Sequence, residues 1–239
     1  MKWFPLFAVF ILTAFVFASC SKEKDNRIDL SLESISLLAG FDGVIKINGT
    51  ASSYKVYSEN EQVAKATVNN NNEILITTTN IGETIIQVTD EANRINIIQV
   101  QATSVTGVWR QAGLNNEALI ETDIQSDDAA FSETLKLSFQ DTATKLGRAR
   151  FTINFSGSAS GTFIEAQGTT TVREGTYTYG NLQLVLKVNG IEEIYTLKKF
   201  SSGAFVMNRD YTEYFKNIYP GKGIKKVMLG LVLGKALFY

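Results

Sequence analysis

The 239-residue chain contains no histidine. That absence removes Ser-His-Asp and Cys-His nucleophile systems, every histidine-containing zinc site and histidine-based pH sensing. Cysteine occurs once, as Cys20, so no disulfide closes within the chain and its folded parts stand on packing. Proline occurs twice, as Pro5 and Pro220, which leaves long stretches free to pair as strands. Charge of one sign is also missing: 23 Lys and Arg against 24 Asp and Glu leave a net charge of -1. Nucleic-acid binding by a basic face is therefore not expected. Neither apolar run, at residues 3–17 and 227–239, reaches the ~20 residues that a membrane-spanning helix needs.

What is present begins with a targeting pattern. Lys2, the apolar run and the closing Phe17-Ala18-Ser19-Cys20 follow the order of a secretory signal. A cysteine directly after small residues resembles the lipobox of bacterial lipoproteins, with Phe17 where leucine is usual. The resemblance implies a signal peptide at 1–19, cleavage before Cys20, and a diacylglycerol, commonly palmitate-bearing, on its thiol. At ~0.8 kcal/mol per buried methylene, two or three chains hold a protein stably on a membrane. Residues 20–27 then form a lipidated cysteine and polar tether, because Ser21-Lys22-Glu23-Lys24-Asp25-Asn26 carries nothing to bury. Ser21 after the cysteine implies, in Gram-negative lipoproteins, transfer to the outer membrane. The charged run looks like a surface-export signal, so the cell surface and the periplasmic face both stay open.

Residues 28–103 alternate apolar and polar positions between closely spaced turns, without a helical period. Ile35, Leu37 and Ala39 precede Gly40; Val44, Ile45 and Ile47 lead to Asn48-Gly49, a hairpin dipeptide; Ile74 and Ile76, then Thr84, Ile86 and Val88, then Ile95, Ile97 and Val100 follow. This predicts an all-β sandwich. Ser58-Glu59-Asn60 before Val63-Ala64, Val68 before an asparagine turn, and Gly82 with Thr84, Ile86 and Val88 resemble the bacterial Ig-like group 2 fold of adhesins and surface lipoproteins. Tyr54 and Val56 stand where that family has tryptophan.

Residues 104–239 read as a second β unit. Gly107-Val108-Trp109 resembles the first strand of lipocalin-like domains, and "GTYTYGNLQL" resembles a pattern of small lipocalin-like domains in surface lipoproteins. Leu135, Leu137 and Phe139 alternate, as do Ala149, Phe151, Ile153 and Phe155. Asn189-Gly190 gives a type I′ hairpin signal, and the apolar 227–239 run reads as a buried final strand. The expectation is an Ig-like sandwich followed by a lipocalin-like antiparallel barrel or half-barrel. The resemblance implies that Trp109 plugs the barrel base and that Arg209 covers it.

Chemistry is sparse. Glu121 and Asp123 fall on one face of a strand but nothing supports a catalytic pair, Glu192 and Glu193 point to opposite faces, and Asp127-Asp128 lacks the oxygen set of a calcium site. No metal or other cofactor and no enzymatic activity are expected. The candidate ligand-binding residues are Trp109, Tyr177, Tyr179, Phe205 and Arg209, with Cys20 as the lipidation site. These features point to a membrane-anchored binding or structural module for surface interaction or adhesion, with protein or glycan partners. The alternative is a carrier of a small hydrophobic ligand in the barrel.

Overall fold

A computed structural model describes residues 27–235 apart from 50, 52, 115, 116, 150 and 202. Cys20, the expected signal peptide and the expected tether apart from residue 27 lie outside the described residues, as do residues 236–239.

The first half is a sandwich of two sheets. One has the order β1 (Ser34–Leu38), β7 (Ile95–Thr103), β6 (Gly82–Asp90), β3 (Tyr54–Ser58); the other runs β2 (Asp42–Lys46), β5 (Glu73–Thr78), β4 (Ala64–Val68). The period-two pattern aims Ile45, Ile74 and Ile76 of one sheet at Ile86, Val88 and Ile98 of the other, and all six are fully buried. Each contributes about 1.5–3 kcal/mol by leaving water. The chain enters beside β2, where the Ser31 amide donates to the Lys46 carbonyl at 2.9 Å, then crosses to pair β1 parallel to β7.

Asn48-Gly49 does not close the expected hairpin. β2 pairs with β5 and β3 with β6, so the chain changes sheets here instead of folding back. The dipeptide permits a tight turn, but the inward residues on either side fill different sheets, and packing decides. Asn189-Gly190 does turn as read, with both φ values positive, at 50° and 82°.

The second half is a closed antiparallel barrel of eight strands in the order β8 (Gly107–Gln111), β12 (Phe151–Gly157), β13 (Ser160–Gln167), β14 (Thr170–Gly180), β15 (Gln183–Val188), β16 (Ile191–Ser201), β17 (Ala204–Asp210), β18 (Ile224–Lys235). The last strand makes the closure: Leu233, Gly234 and Lys235 pair with Gln111, Arg110 and Trp109 of β8. The rest of that edge of β18 is taken by β11 (Ile120–Ser126), with Ile120 opposite Leu231 and Ile124 opposite Val227. Two short strands, β9 (Gly113–Leu114) and β10 (Glu117–Ala118), form a small ribbon between β8 and β11.

Among the described residues, two α-helices and a 3-10 turn at Pro220–Lys222 interrupt the all-β pattern. α1 (Ala129–Ala149) takes the segment read as a strand through Leu135, Leu137 and Phe139. Asp128 starts it by accepting the Phe131 amide on Oδ1 at 2.9 Å, an N-cap. The working spacing is four: Phe131, Leu135 and Phe139 join a small core with Ile124, Ile224 and Val227, whereas Leu137 is 64% exposed. α2 (Thr212–Ile218) fills the β17 to β18 connection and sends Phe215 to the same core.

The two halves share one hydrophobic core. Tyr179 of β14 donates its hydroxyl to the Ala39 carbonyl, and the Ser104 and Thr106 hydroxyls reach the carbonyls of Ser158 and Gly157 in the β12 to β13 turn. Gly40 has φ +94°, and a Cβ there would lie 2.5 Å from Leu182, so the junction is fitted around a glycine.

Candidate functional site

The inward positions of the barrel divide into two layers along its axis. Nearest the sandwich lie the aromatic residues. Trp109 packs edge-on against Phe205 with centroids 4.6 Å apart, and its indole N–H is taken by the Val105 carbonyl. Phe155 meets Tyr177 at 4.9 Å and Phe163 at 6.3 Å, and Tyr177 donates to the Ser158 carbonyl at 3.0 Å. Leu184, Leu186, Leu197 and Ile153, all at most 1% exposed, fill the space between the rings. Such offset and edge contacts add about 0.5–1.5 kcal/mol per ring pair beyond area. Burial pushes the Tyr179 hydroxyl up to about 12.

Toward the far end the same inward parity carries charge. Phe163 is followed two positions on by Glu165, Arg173 precedes Gly175 and Tyr177, Glu193 precedes Tyr195 and Leu197, and Arg209 follows Phe205 and Met207. Four strands thus deliver two carboxylates and two guanidinium groups to one interior layer. Arg173 Nε donates to Glu165, and its terminal nitrogen donates to Glu193 at 2.5 Å. Glu193 also accepts from Arg209 at 2.7 Å and from the Tyr195 hydroxyl at 2.8 Å. Arg173 lies over the Phe163 ring, and Arg209 lies over Tyr195 and Tyr211 at 5.7 and 5.1 Å.

The layer is neutral as a set but uneven within it. For Glu165 burial is the largest effect and holds the carboxyl above its ordinary value, despite the bond from Arg173. Burial also acts on Glu193, but bonds from Arg173, Tyr195 and Arg209 outweigh it and hold that carboxyl below its ordinary value. Burial disfavours the Arg173 charge too, yet Glu165 and Glu193 together make the guanidinium hold its proton more firmly than usual. Burial pushes the Tyr195 hydroxyl up to about 12.

Four of the candidate residues, Trp109, Tyr177, Tyr179 and Phe205, sit together in the aromatic layer. Arg209 does not cover Trp109. Its partner on β18 is Leu229, whereas Trp109 faces Lys235. Six residues along a strand is ~20 Å, which places the two in different layers. Glu165, Arg173 and Glu193 lie outside the candidate set, and the signal that marks them is a charged residue in phase with inward aromatics such as Tyr195. The other acidic pairs are accounted for individually. Glu121 meets Lys198 at 2.8 Å, Asp123 meets Lys226 at 2.6 Å, Asp128 caps α1, and Glu192 points outward to Lys187.

Residues 33–103, which span the seven strands of the sandwich, match the family described as pilus formation protein N terminal region. This differs from the group 2 Ig-like family that the sequence resembles, but it falls on the same segment. No curated protein matches the chain.

Proposed function

We propose that this chain is a non-catalytic structural and binding module of the bacterial envelope, held to the membrane by lipid on Cys20 and acting in the assembly of a pilus or secretion system. The observation that carries the reading is the match of the whole sandwich to the pilus formation N-terminal family. The sandwich presents the interaction surface. The barrel is a rigid body fixed to it by Tyr179, Ser104 and Thr106.

The interior of the barrel supports this role over that of a carrier. Rings and leucines fill the layer beside the sandwich, and the Glu165, Arg173, Glu193 and Arg209 set spans the layer beyond it, leaving each arginine already matched by a carboxylate. A ligand would have to displace packed side chains or break those ion pairs.

The test uses the native host. Labelled palmitate is expected on the wild-type protein and not on Cys20→Ala, which should leave the membrane fraction. Gently solubilised envelopes are expected to yield the protein in a large complex together with pilus or channel subunits. Recovery only as a free monomer would overturn the assembly reading, and palmitate on Cys20→Ala would overturn the anchor.

A further inference from the structure

The edge of β2 is open where the sandwich meets the barrel. Thr78 donates to the Phe41 carbonyl at 3.2 Å and Ile47 donates to the Asn72 carbonyl at 2.9 Å. With the register of β2 on β5, these bonds assign the odd-numbered residues of β2 to the ladder with β5. The even-numbered residues therefore turn their N–H and C=O groups to the other side. Lys46 is satisfied there by Ser31, through both its carbonyl and its amide. The Asp42 carbonyl accepts from Lys199 Nζ at 2.5 Å. Between them, the amide and carbonyl of Val44 meet no partner among the described residues. The gap has a cause in the topology: the chain runs beside this edge only as far as Ser31 and then crosses to form β1 on β7 in the opposite sheet.

An open edge normally invites uncontrolled pairing. Here it borders a cleft of about 440 Å³ between the two halves of the molecule, with Val44, Leu75 and Leu182 as apolar surface and Lys198 and Lys199 at its rim. Lys198 is paired with Glu121, whereas Lys199 meets only the backbone carbonyl of Asp42 among the described residues. Lys198 is thus already matched, and the cation the cleft offers to the acid of an incoming segment is Lys199, beside Asp42; the Lys199 ammonium meets a carbonyl and no carboxylate among the described residues.

We propose that this cleft is a strand-addition site for an extended peptide segment of a partner protein, alternating apolar and acidic residues. The segment pairs its backbone with Val44, lays apolar side chains on Val44, Leu75 and Leu182, and places a carboxylate on Lys199. Lys199 then releases the Asp42 carbonyl, which joins the new ladder. Main-chain bonds supply the affinity and the apolar and lysine contacts the selectivity. The open stretch at 42–45 is ~13 Å long, enough for about four residues of pairing. This inference rests on the assembly reading for the existence of a partner and adds that partner's chemistry.

The probe is a synthetic acetylated hexapeptide alternating valine with aspartate or glutamate, added to the full mature chain and followed by amide exchange. The expected result is that the Val44 amide slows by about tenfold or more, while β3 and β4 edge amides do not change. The same peptide N-methylated at alternate residues should not bind. Lys199→Glu should weaken binding by about tenfold, and Val44→Pro, tolerated on an edge, should abolish it. A thermal melt checks that Val44→Pro folds; if it does not, Lys199→Glu alone decides. No slowing at Val44 with millimolar peptide (about a 4 kcal/mol affinity floor), equal binding of the N-methylated peptide, or indifference to Lys199→Glu would overturn the site. Recovery of the chain in a large envelope complex is read separately, so the cleft can fail while the assembly reading stands.

Discussion

Tyr179 in the barrel donates its hydroxyl hydrogen to the backbone carbonyl of Ala39 in the sandwich, 140 positions earlier in the chain. The two halves are therefore tied by a buried bond made at the point where their cores merge. Tyr179→Phe leaves the Ala39 carbonyl unmet and should cost about 1–3 kcal/mol, read as a lower urea midpoint. Burial raises this hydroxyl to about 12, so its contribution is complete below the ordinary tyrosine value of 10 and is lost as pH rises through 12. Wild type should lose more stability than Tyr179→Phe across that window.

The interior carboxylates should respond to acid in opposite directions. Glu193 titrates below its ordinary value of 4.5, so the stability it adds is present above 4.5 and lost as pH falls through its lowered value. Glu165 titrates above 4.5, so its contribution is complete below 4.5 and is lost as pH rises through its raised value. The cost of Glu193→Gln should shrink on acidification from neutral pH, and the cost of Glu165→Gln should grow. Denaturant midpoints at a series of pH values check this, and parallel curves would contradict it.

Removing the cation shared by both acids is the harsher change. Arg173→Met leaves Glu165 and Glu193 without their common donor in an interior layer and should cost about 3 kcal/mol, near the lower end for a broken buried pair because the side chain is partly exposed. Arg173→Lys should recover only part of the loss, since one ammonium does not reproduce a planar fork reaching two carboxylates.

Two neighbouring leucines separate a helix from a strand at 129–149. Leu135→Ala, at a buried position in the core under α1, should cost about 2–3 kcal/mol. Leu137→Ala, at an exposed one, should stay within ~0.5 kcal/mol. Equal losses would favour a different packing of the segment.

Gly40→Ala should destabilise the junction by about 1–3 kcal/mol, because the new methyl group meets Leu182 and the backbone sits at φ +94°. The companion change Leu182→Ala should recover part of that loss by removing the obstructing side chain, which a double-mutant cycle would show.

The strands were legible because most of them bury one face: Ile74 with Ile76, Ile86 with Val88, and Phe151 with Ile153 and Phe155 each announce a period of two. The helix was not, because Leu135, Leu137 and Phe139 also alternate, and only Phe131, four residues before Leu135, reveals the stripe that is buried. The aromatic layer was visible as a residue type, with Trp109, Tyr177, Tyr179 and Phe205 placed together. The ionic layer was hidden because charged residues in strands ordinarily face water. Resemblance pairs Arg209 with Trp109, and register along β18 separates them. The open edge at Val44 depends on which sheet the first strand joins, a long-range choice that no local pattern records.

The double duty of β18 bears on the order of events in synthesis. Its residues pair with β17, β8 and β11, so none of these three seams forms until the final segment has emerged. The sandwich, complete by residue 103, has all its strands long before that. The first half can therefore fold while the second is still being made, and the barrel, dominated by contacts distant in sequence, forms late and slowly. A nascent chain halted just short of Ile224 would carry a finished sandwich beside an unclosed sheet with its aromatic lining open to water, a natural target for chaperones and proteases.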